Sequence, residues 1–193
     1  MNRSRIEILQ YVKEFADRCH GTQVRKYTGE RYIVHPVRVM EMVRAYNDDI
    51  SVLAAALLHD VLEDTPVTRA EIAEALAEVL DQAQVAKTMQ FVVELTDIFI
   101  REEYPRLSRR SRKEKETHRL GAVSGEAQTI KYADIIDNVT DIVKRDVDFA
   151  RVFVREGKKM LVAMQAGHPA LRERAQTIVD GCLHHLRKEP QVL

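Results

Sequence analysis

The stretch from Ile50 to Leu58 constrains this chain more than any other: only Ser51 in it is polar, and His59-Asp60-Val61-Leu62-Glu63-Asp64 follows at once. A segment with no wet face is stable only as a buried helix at the centre of a core. Ending it in four polar side chains places charge beside apolar surface, which is costly unless those groups are paired or bound. The rest of the chain has the same helical grammar. It holds only 7 glycines and 5 prolines, few alternating β-branched runs, and apolar residues at three-to-four spacing almost throughout. The fold class expected is all-α.

Ile6, Leu9, Val12 and Ala16 set the face of a first helix that ends near His20-Gly21, where glycine tolerates the C-terminal cap conformation. A loop runs through Thr28-Gly29. Tyr32-Ile33-Val34-His35-Pro36 leads into a helix on Val39, Met40 and Val43, with Pro36 in the first turn, where its missing amide leaves no bond unmade. His35 therefore stands at a helix entrance. Asp48-Asp49 precede the apolar helix, and Thr68-Arg69-Ala70-Glu71 has the spacing of a capping box. Val85 to Thr96 reads as another helix, and Arg101 to Arg119, interrupted by Pro105, as a loop and an exposed mixed-charge helix. Gly121 to Gly125 breaks the chain before a helix from Glu126 to Lys144. Two helices follow, on Val152, Val154, Leu161 and Met164, then on Leu171, Ile178 and Leu183, with fraying expected after Lys188. No repeat or linker interrupts the pattern. Residues 1–193 are expected to form one domain, its motifs within about 5–145 and the helices of 146–188 packed on that part.

Lysine plus arginine equals aspartate plus glutamate at 30 each, so no global field draws the chain to nucleic acid or an anionic membrane. An anionic ligand must be held locally. Cys19 and Cys182 are too few for a disulfide framework and suit reduced thiols. The opening residues from Met1 to Ile6 lack the apolar run of a signal peptide, and no stretch approaches the ~20 apolar residues of a membrane span. The expected location is the cytoplasm, with no membrane partner. Nothing in the pattern specifies an oligomeric state.

Three clusters carry chemistry. In His59 to Asp64, a helix continuing through the segment would pair His59 with Glu63 and Asp60 with Asp64 at i,i+4 spacing, pointing both pairs into one cleft. An imidazole beside carboxylates suits a divalent metal of the zinc, manganese or iron group, although a solvated helix end has a similar look. From Lys131 to Asp141, helical rotation groups Asp134, Asp137, Asn138 and Asp141 along one side, with Lys131 at its edge and apolar residues around the rest. Taken alone, that stripe is also what the wet face of an amphipathic helix presents. Between His20 and Gly29, Arg25 offers a planar guanidinium and Lys26 a point charge, a means of holding a polyanion and equally an ordinary basic loop. The segment 101–119 mixes its bases with Glu102, Glu103, Glu114 and Glu116, which favours a solvated helix over an RNA-binding one.

The order His35, His59-Asp60, Glu63-Asp64, then Asp134 and Asn138 resembles the HD superfamily of metal-dependent phosphohydrolases. More narrowly, H-x-x-Q-x-R-K from His20 to Lys26, G-x-x-Y-x-x-H-P from Gly29 to Pro36, A-L-L-H-D-x-x-E-D-T from Ala56 to Thr65 and K-x-A-D-x-x-x-N from Lys131 to Asn138 are similar to the Rel/SpoT alarmone hydrolase domain and its free-standing relatives. Those enzymes remove pyrophosphate from the 3′ position of (p)ppGpp with manganese. The resemblance implies His35, His59, Asp60 and Asp134 as metal ligands, Glu63 and Asp64 aiding the attacking water, and Arg25, Lys26, Tyr32, Lys131 and Asn138 facing the nucleotide. Arg31 and Asp137 stand where those hydrolases usually carry a proline and an aromatic residue or histidine. The same phosphate chemistry would serve NADPH or another nucleoside phosphate. A non-catalytic nucleotide-binding regulatory HD module would keep the scaffold but is expected to have lost a ligand or Glu63-Asp64, and all are present.

Overall fold

A computed structural model describes residues 3–188. The tail after Lys188, for which fraying was expected, lies outside the described residues. Among them the chain forms ten helices and no strand beyond an isolated antiparallel bridge between Val24 and Arg31. It divides into two compact units between Thr96 and Asp97.

The first unit holds α1 (Arg5–His20), α2 (Val34–Arg44), α3 (Ile50–Leu58), α4 (Val61–Asp64), α5 (Arg69–Ala77) and α6 (Gln82–Leu95). Helix α3 is its centre, packed by α1, α2 and α6, and every one of its residues is buried. Each leucine so enclosed contributes about 1.5–3 kcal/mol over leaving it wet. Asp49 begins the helix by accepting the Ser51 amide, satisfying a donor with no partner inside the helix. The expected capping box forms at α5: Thr68 accepts the Glu71 amide, and Glu71 accepts the Thr68 amide. A second one, Asp81 with Gln84, starts α6 three residues before the helix expected from Val85.

Helix α1 ends at Gly21 with φ 55°, and its buried row is Leu9, Val12, Ala16 and His20. Ile6 was expected on that row. It is instead exposed, because the first turn extends past the core, where the chain spends its side chains on the Ser4–Glu7 capping box.

The second unit holds α7 (Arg109–Leu120), α8 (Gly125–Ile142), α9 (Val147–Ala163) and α10 (Pro169–Lys188). Helices α9 and α10 pack on α8 and on each other, and α7 packs on α9. Buried Gln128 ties the loops together: its amide nitrogen donates to the carbonyls of Leu120, Gly121 and Val123, and its oxygen accepts from Ala166 and Gly167. Buried Tyr132 donates its hydroxyl to the Met164 carbonyl at 2.9 Å.

Three expectations here need correction. Val152 is exposed, since the apolar stripe of α9 runs through Ala150, Val154 and Leu161 instead. On α10 the enclosed positions are Leu171, Ala175, Val179 and Leu186, one helical step from Ile178 and Leu183, which stay half-buried. The helix of 101–119 is not wholly solvated: Glu116 is 1% exposed and accepts the amides of Ile98 and Phe99 and the Nε–H of Arg119. A buried carboxylate with three donors organises the loop before α7.

Candidate functional site

The motif residues of the first unit meet at one carboxylate oxygen. The α3 helix stops at Leu58, and His59 and Asp60 form a turn before α4 rather than continuing the helix. Asp60 sits at φ −97° and ψ −7°, and its carbonyl accepts the amides of both Glu63 (3.2 Å) and Asp64 (2.9 Å). The i,i+4 faces expected for His59 with Glu63 and Asp60 with Asp64 therefore do not exist as such. The turn directs His59 and Asp60 to one place, while Glu63 and Asp64 stand exposed on the short α4.

His59 Nδ1 lies 2.8 Å from the Ala56 carbonyl, which can only accept, so Nδ1 carries the proton and Nε2 keeps its lone pair in the neutral ring. That Nε2 is 3.2 Å from Asp60 Oδ2. His35, buried in the first turn of α2, places its Nε2 3.5 Å from the same oxygen, and the two imidazole rings stand 5.2 Å apart, edge to face. Tyr32 donates its hydroxyl to that oxygen at 2.8 Å. Two imidazole nitrogens and a carboxylate oxygen facing one point repel unless a proton or cation sits among them. They are the hard and borderline donors that first-row divalent ions accept. The residues present fit a divalent metal.

Burial, followed by the charges of Asp60 and Asp64 and hydrogen bonds to them, pushes the Tyr32 phenol far above its ordinary range. It remains a donor at any working pH. Around it, His20 packs its ring at 4.5 Å, and His20 Nδ1 donates to Gln23 Oε1 (2.9 Å) while Gln23 Nε2 donates to Asp64 Oδ2 (3.2 Å). The Arg25 guanidinium lies 5.9 Å over the Tyr32 ring, and Arg25 is buried. Lys26 is exposed, its ammonium on Tyr27. The loop is held by the amide of Arg25 on the Glu30 carbonyl and the amide of Tyr32 on the Gln23 carbonyl, with Gly29 at φ 72°, a conformation that side chains resist. Arg31 is held by Asp17 at 2.8 Å.

In the second unit α8 sets Lys131, Asp134 and Asn138 in one row. Lys131 Nζ lies 2.8 Å from one oxygen of buried Asp134, and Asn138 donates to the other at 2.5 Å. Asp137 and Asp141 on the same side are half-buried, Asp141 with Arg145 at 3.6 Å. The stripe is thus not simply a wet face. His20 belongs to the H-x-x-Q-x-R-K motif, yet the resemblance gives it no role in the site. Its signal was the i,i+3 spacing to Gln23, which brings imidazole and amide together across the helix end.

The family model for the HD domain matches residues 13–146. A guanosine-3′,5′-bis(diphosphate) 3′-pyrophosphohydrolase of Aquifex aeolicus (strain VF5) is 42% identical over 92 residues, 48% of this chain and 12% of that protein. One of the same name from Vibrio cholerae serotype O1 is 35% identical over 95 residues, 47% of this chain and 13% of that protein. The chain thus spans about an eighth of the length of these relatives. Among solved structures, a metazoan ortholog of SpoT, described as hydrolysing ppGpp with a role in starvation responses, aligns with a TM-score of 0.74 at 23% identity, over 92% of this chain and 94% of that one. At that identity the likeness concerns the fold.

Proposed function

The chain belongs to the HD domain family, and from that premise we propose that it is a divalent-metal-dependent phosphohydrolase that removes pyrophosphate from the 3′ position of (p)ppGpp. The observation that carries the reading is the convergence of His35 Nε2, His59 Nε2 and the Tyr32 hydroxyl on Asp60 Oδ2. His35, His59, Asp60 and Asp134 hold the ion, manganese by preference. When bound, such an ion acidifies water and offsets charge on phosphoryl oxygens.

The chain's own groups do the rest. Glu63 and Asp64 accept the proton of the attacking water, with Asp64 held by Gln23. Water adds to the phosphorus on the 3′ side, the bond from that phosphorus to the 3′ oxygen breaks, and ppGpp becomes GDP and pyrophosphate. Arg25 and Lys26 hold the nucleotide, Arg25 through a planar guanidinium already packed against Tyr32. Lys131 and Asn138 fix both oxygens of Asp134, and Lys131 brings positive charge toward the phosphoryl group. The names carried by the relatives support (p)ppGpp over NADPH or a nucleoside triphosphate. No helix among the described residues is long and apolar enough to cross a membrane, consistent with work in the cytoplasm on a freely diffusing nucleotide.

The test is a screen of the purified, manganese-supplemented protein against ppGpp, pppGpp, NADPH and nucleoside mono- and triphosphates, with Asp60→Ala as the blank. Pyrophosphate with GDP or GTP as products is the expected result; a metal-loaded protein inert toward ppGpp would sink the assignment. Glu63→Gln is expected to keep its metal and lose turnover by about 100-fold or more, the usual scale for a positioned general base.

A further inference from the structure

We propose that the second unit carries a separate binding site for a nucleoside polyphosphate, in the hollow between α9 and α10. Its residues are neither among the candidate site residues nor within 13–146, the span of the family model. The site therefore stands independently of the reading above.

The hollow encloses about 530 Å³, the scale of small-molecule pockets. Arg151, Arg155, Lys158 and Lys159 from α9 and Arg187 from α10 line it, and among the described residues no acidic one does. In a chain with a net charge of zero, five cations around one concavity are a strong local concentration. The floor is aliphatic, made by Val162, Leu183 and Leu186. One flank of α9 generates this: Arg151, Arg155, Lys158 and Val162 recur at helical spacing beside the buried stripe of Ala150, Val154 and Leu161.

A neighbouring hollow between α7 and α9 makes the contrast. It shares Arg155 and Lys159 and adds Arg109, Arg110 and Lys113, but Glu114 and Glu156 line it too. Arg109 pairs there with Glu156 at 2.7 Å, and Arg110 with Glu114 at 3.0 Å. Its charge is answered from within the protein. In the α9–α10 hollow Lys158 faces Asp180 at 2.7 Å and Lys159 faces Glu114 at 4.0 Å, and the side chains of both pairs are half exposed or more, so these contacts are weak and readily exchanged for a phosphate.

Charge and shape select the ligand. Guanidinium groups grip phosphate oxygens two at a time and can stack on a base, while the aliphatic floor accepts an apolar ring face. Single-stranded RNA needs aromatic platforms for successive bases, and among the described residues no aromatic side chain lines the hollow. A compact polyphosphate with one base fits the concavity better than a long polyanion.

Titration calorimetry on the full chain in EDTA, with GTP, inorganic tripolyphosphate and single-stranded oligouridylate as probes, tests this. Expected is one GTP per chain, bound more tightly than tripolyphosphate and more weakly as salt rises. Arg155→Ala with Arg187→Ala should weaken it by about tenfold or more, the loss of roughly one charged hydrogen bond, and Asp60→Ala should leave it unchanged. Both arginines are exposed on their helices, and Arg155→Glu gives a second variant whose effect should be larger. The proposal is overturned by absent GTP binding, by equal affinity in the double variant, by loss of binding in Asp60→Ala, by tripolyphosphate matching GTP, or by oligouridylate binding more tightly than either.

Discussion

Asp60 Oδ2 accepts the Tyr32 hydroxyl and faces two imidazole nitrogens, so its orientation depends on Tyr32 as much as on its own backbone turn. Tyr32 is itself clasped by the rings of His20 at 4.5 Å and His35 at 6.0 Å. In Tyr32→Phe the ring packing survives and the donor is lost. The expected outcome is a melting temperature within a few degrees of the parent, with metal affinity or turnover reduced by roughly 10- to 100-fold, the scale for groups that orient a ligand. Metal titration beside a thermal melt checks it, and an unchanged affinity and rate would remove Tyr32 from the site. At this scale the sequence was legible where residues adjoin: His59 and Asp60 must lie together, and Gly29 and Pro36 frame Tyr32 and His35. It was illegible where orientation depends on a break. Nothing in Leu58-His59-Asp60-Val61 marks the helix as ending there, since all four residues take right-handed helical or near-helical angles.

At the scale of elements, capping and periodicity located the helices well, because Thr68–Glu71 and Gly21 act through neighbours in sequence. Facing was harder to read. Ile6 and Val152 look like core residues in a periodic pattern and are exposed, while Glu116 looks like a surface charge and is buried, because what covers each position comes from elsewhere in the chain. Glycines separate the two kinds of information. Gly181 lies inside α10, where a methyl group would meet nothing within 4 Å, so Gly181→Ala should stabilise by about 0.5–1 kcal/mol through helix propensity alone. Gly125, the first residue of α8, would bring its methyl to 2.5 Å from the Ala166 carbonyl oxygen, and backbone must move. Gly125→Ala should therefore destabilise by about 1–3 kcal/mol. Urea titrations with unchanged slopes and midpoints shifted in opposite directions are the expected result; shifts of the same sign would refute the packing at α8.

At the scale of the whole molecule, Leu95-Thr96-Asp97-Ile98 contains no glycine, proline or serine to announce a boundary, yet the chain separates there into two compact units. The HD model runs through that point, so sequence likeness reports a shared chemical plan and not where contacts are dense. The proposed ligand set is His35, His59, Asp60 and Asp134, and each of the four is expected to contribute to metal binding. An ion that binds only the folded protein, present at about 100 times its dissociation constant, adds about 2.7 kcal/mol of stability. For a chain of this size that corresponds to a rise of roughly 5–10 °C in melting temperature. Manganese should produce that rise in the parent protein, EDTA should abolish it, and Asp134→Ala should lose as much of it as Asp60→Ala does. If Asp134→Ala kept the full manganese-dependent rise while Asp60→Ala lost it, the ion would belong to the first unit alone, and the Lys131–Asp134–Asn138 row would be left with a role in binding nucleotide.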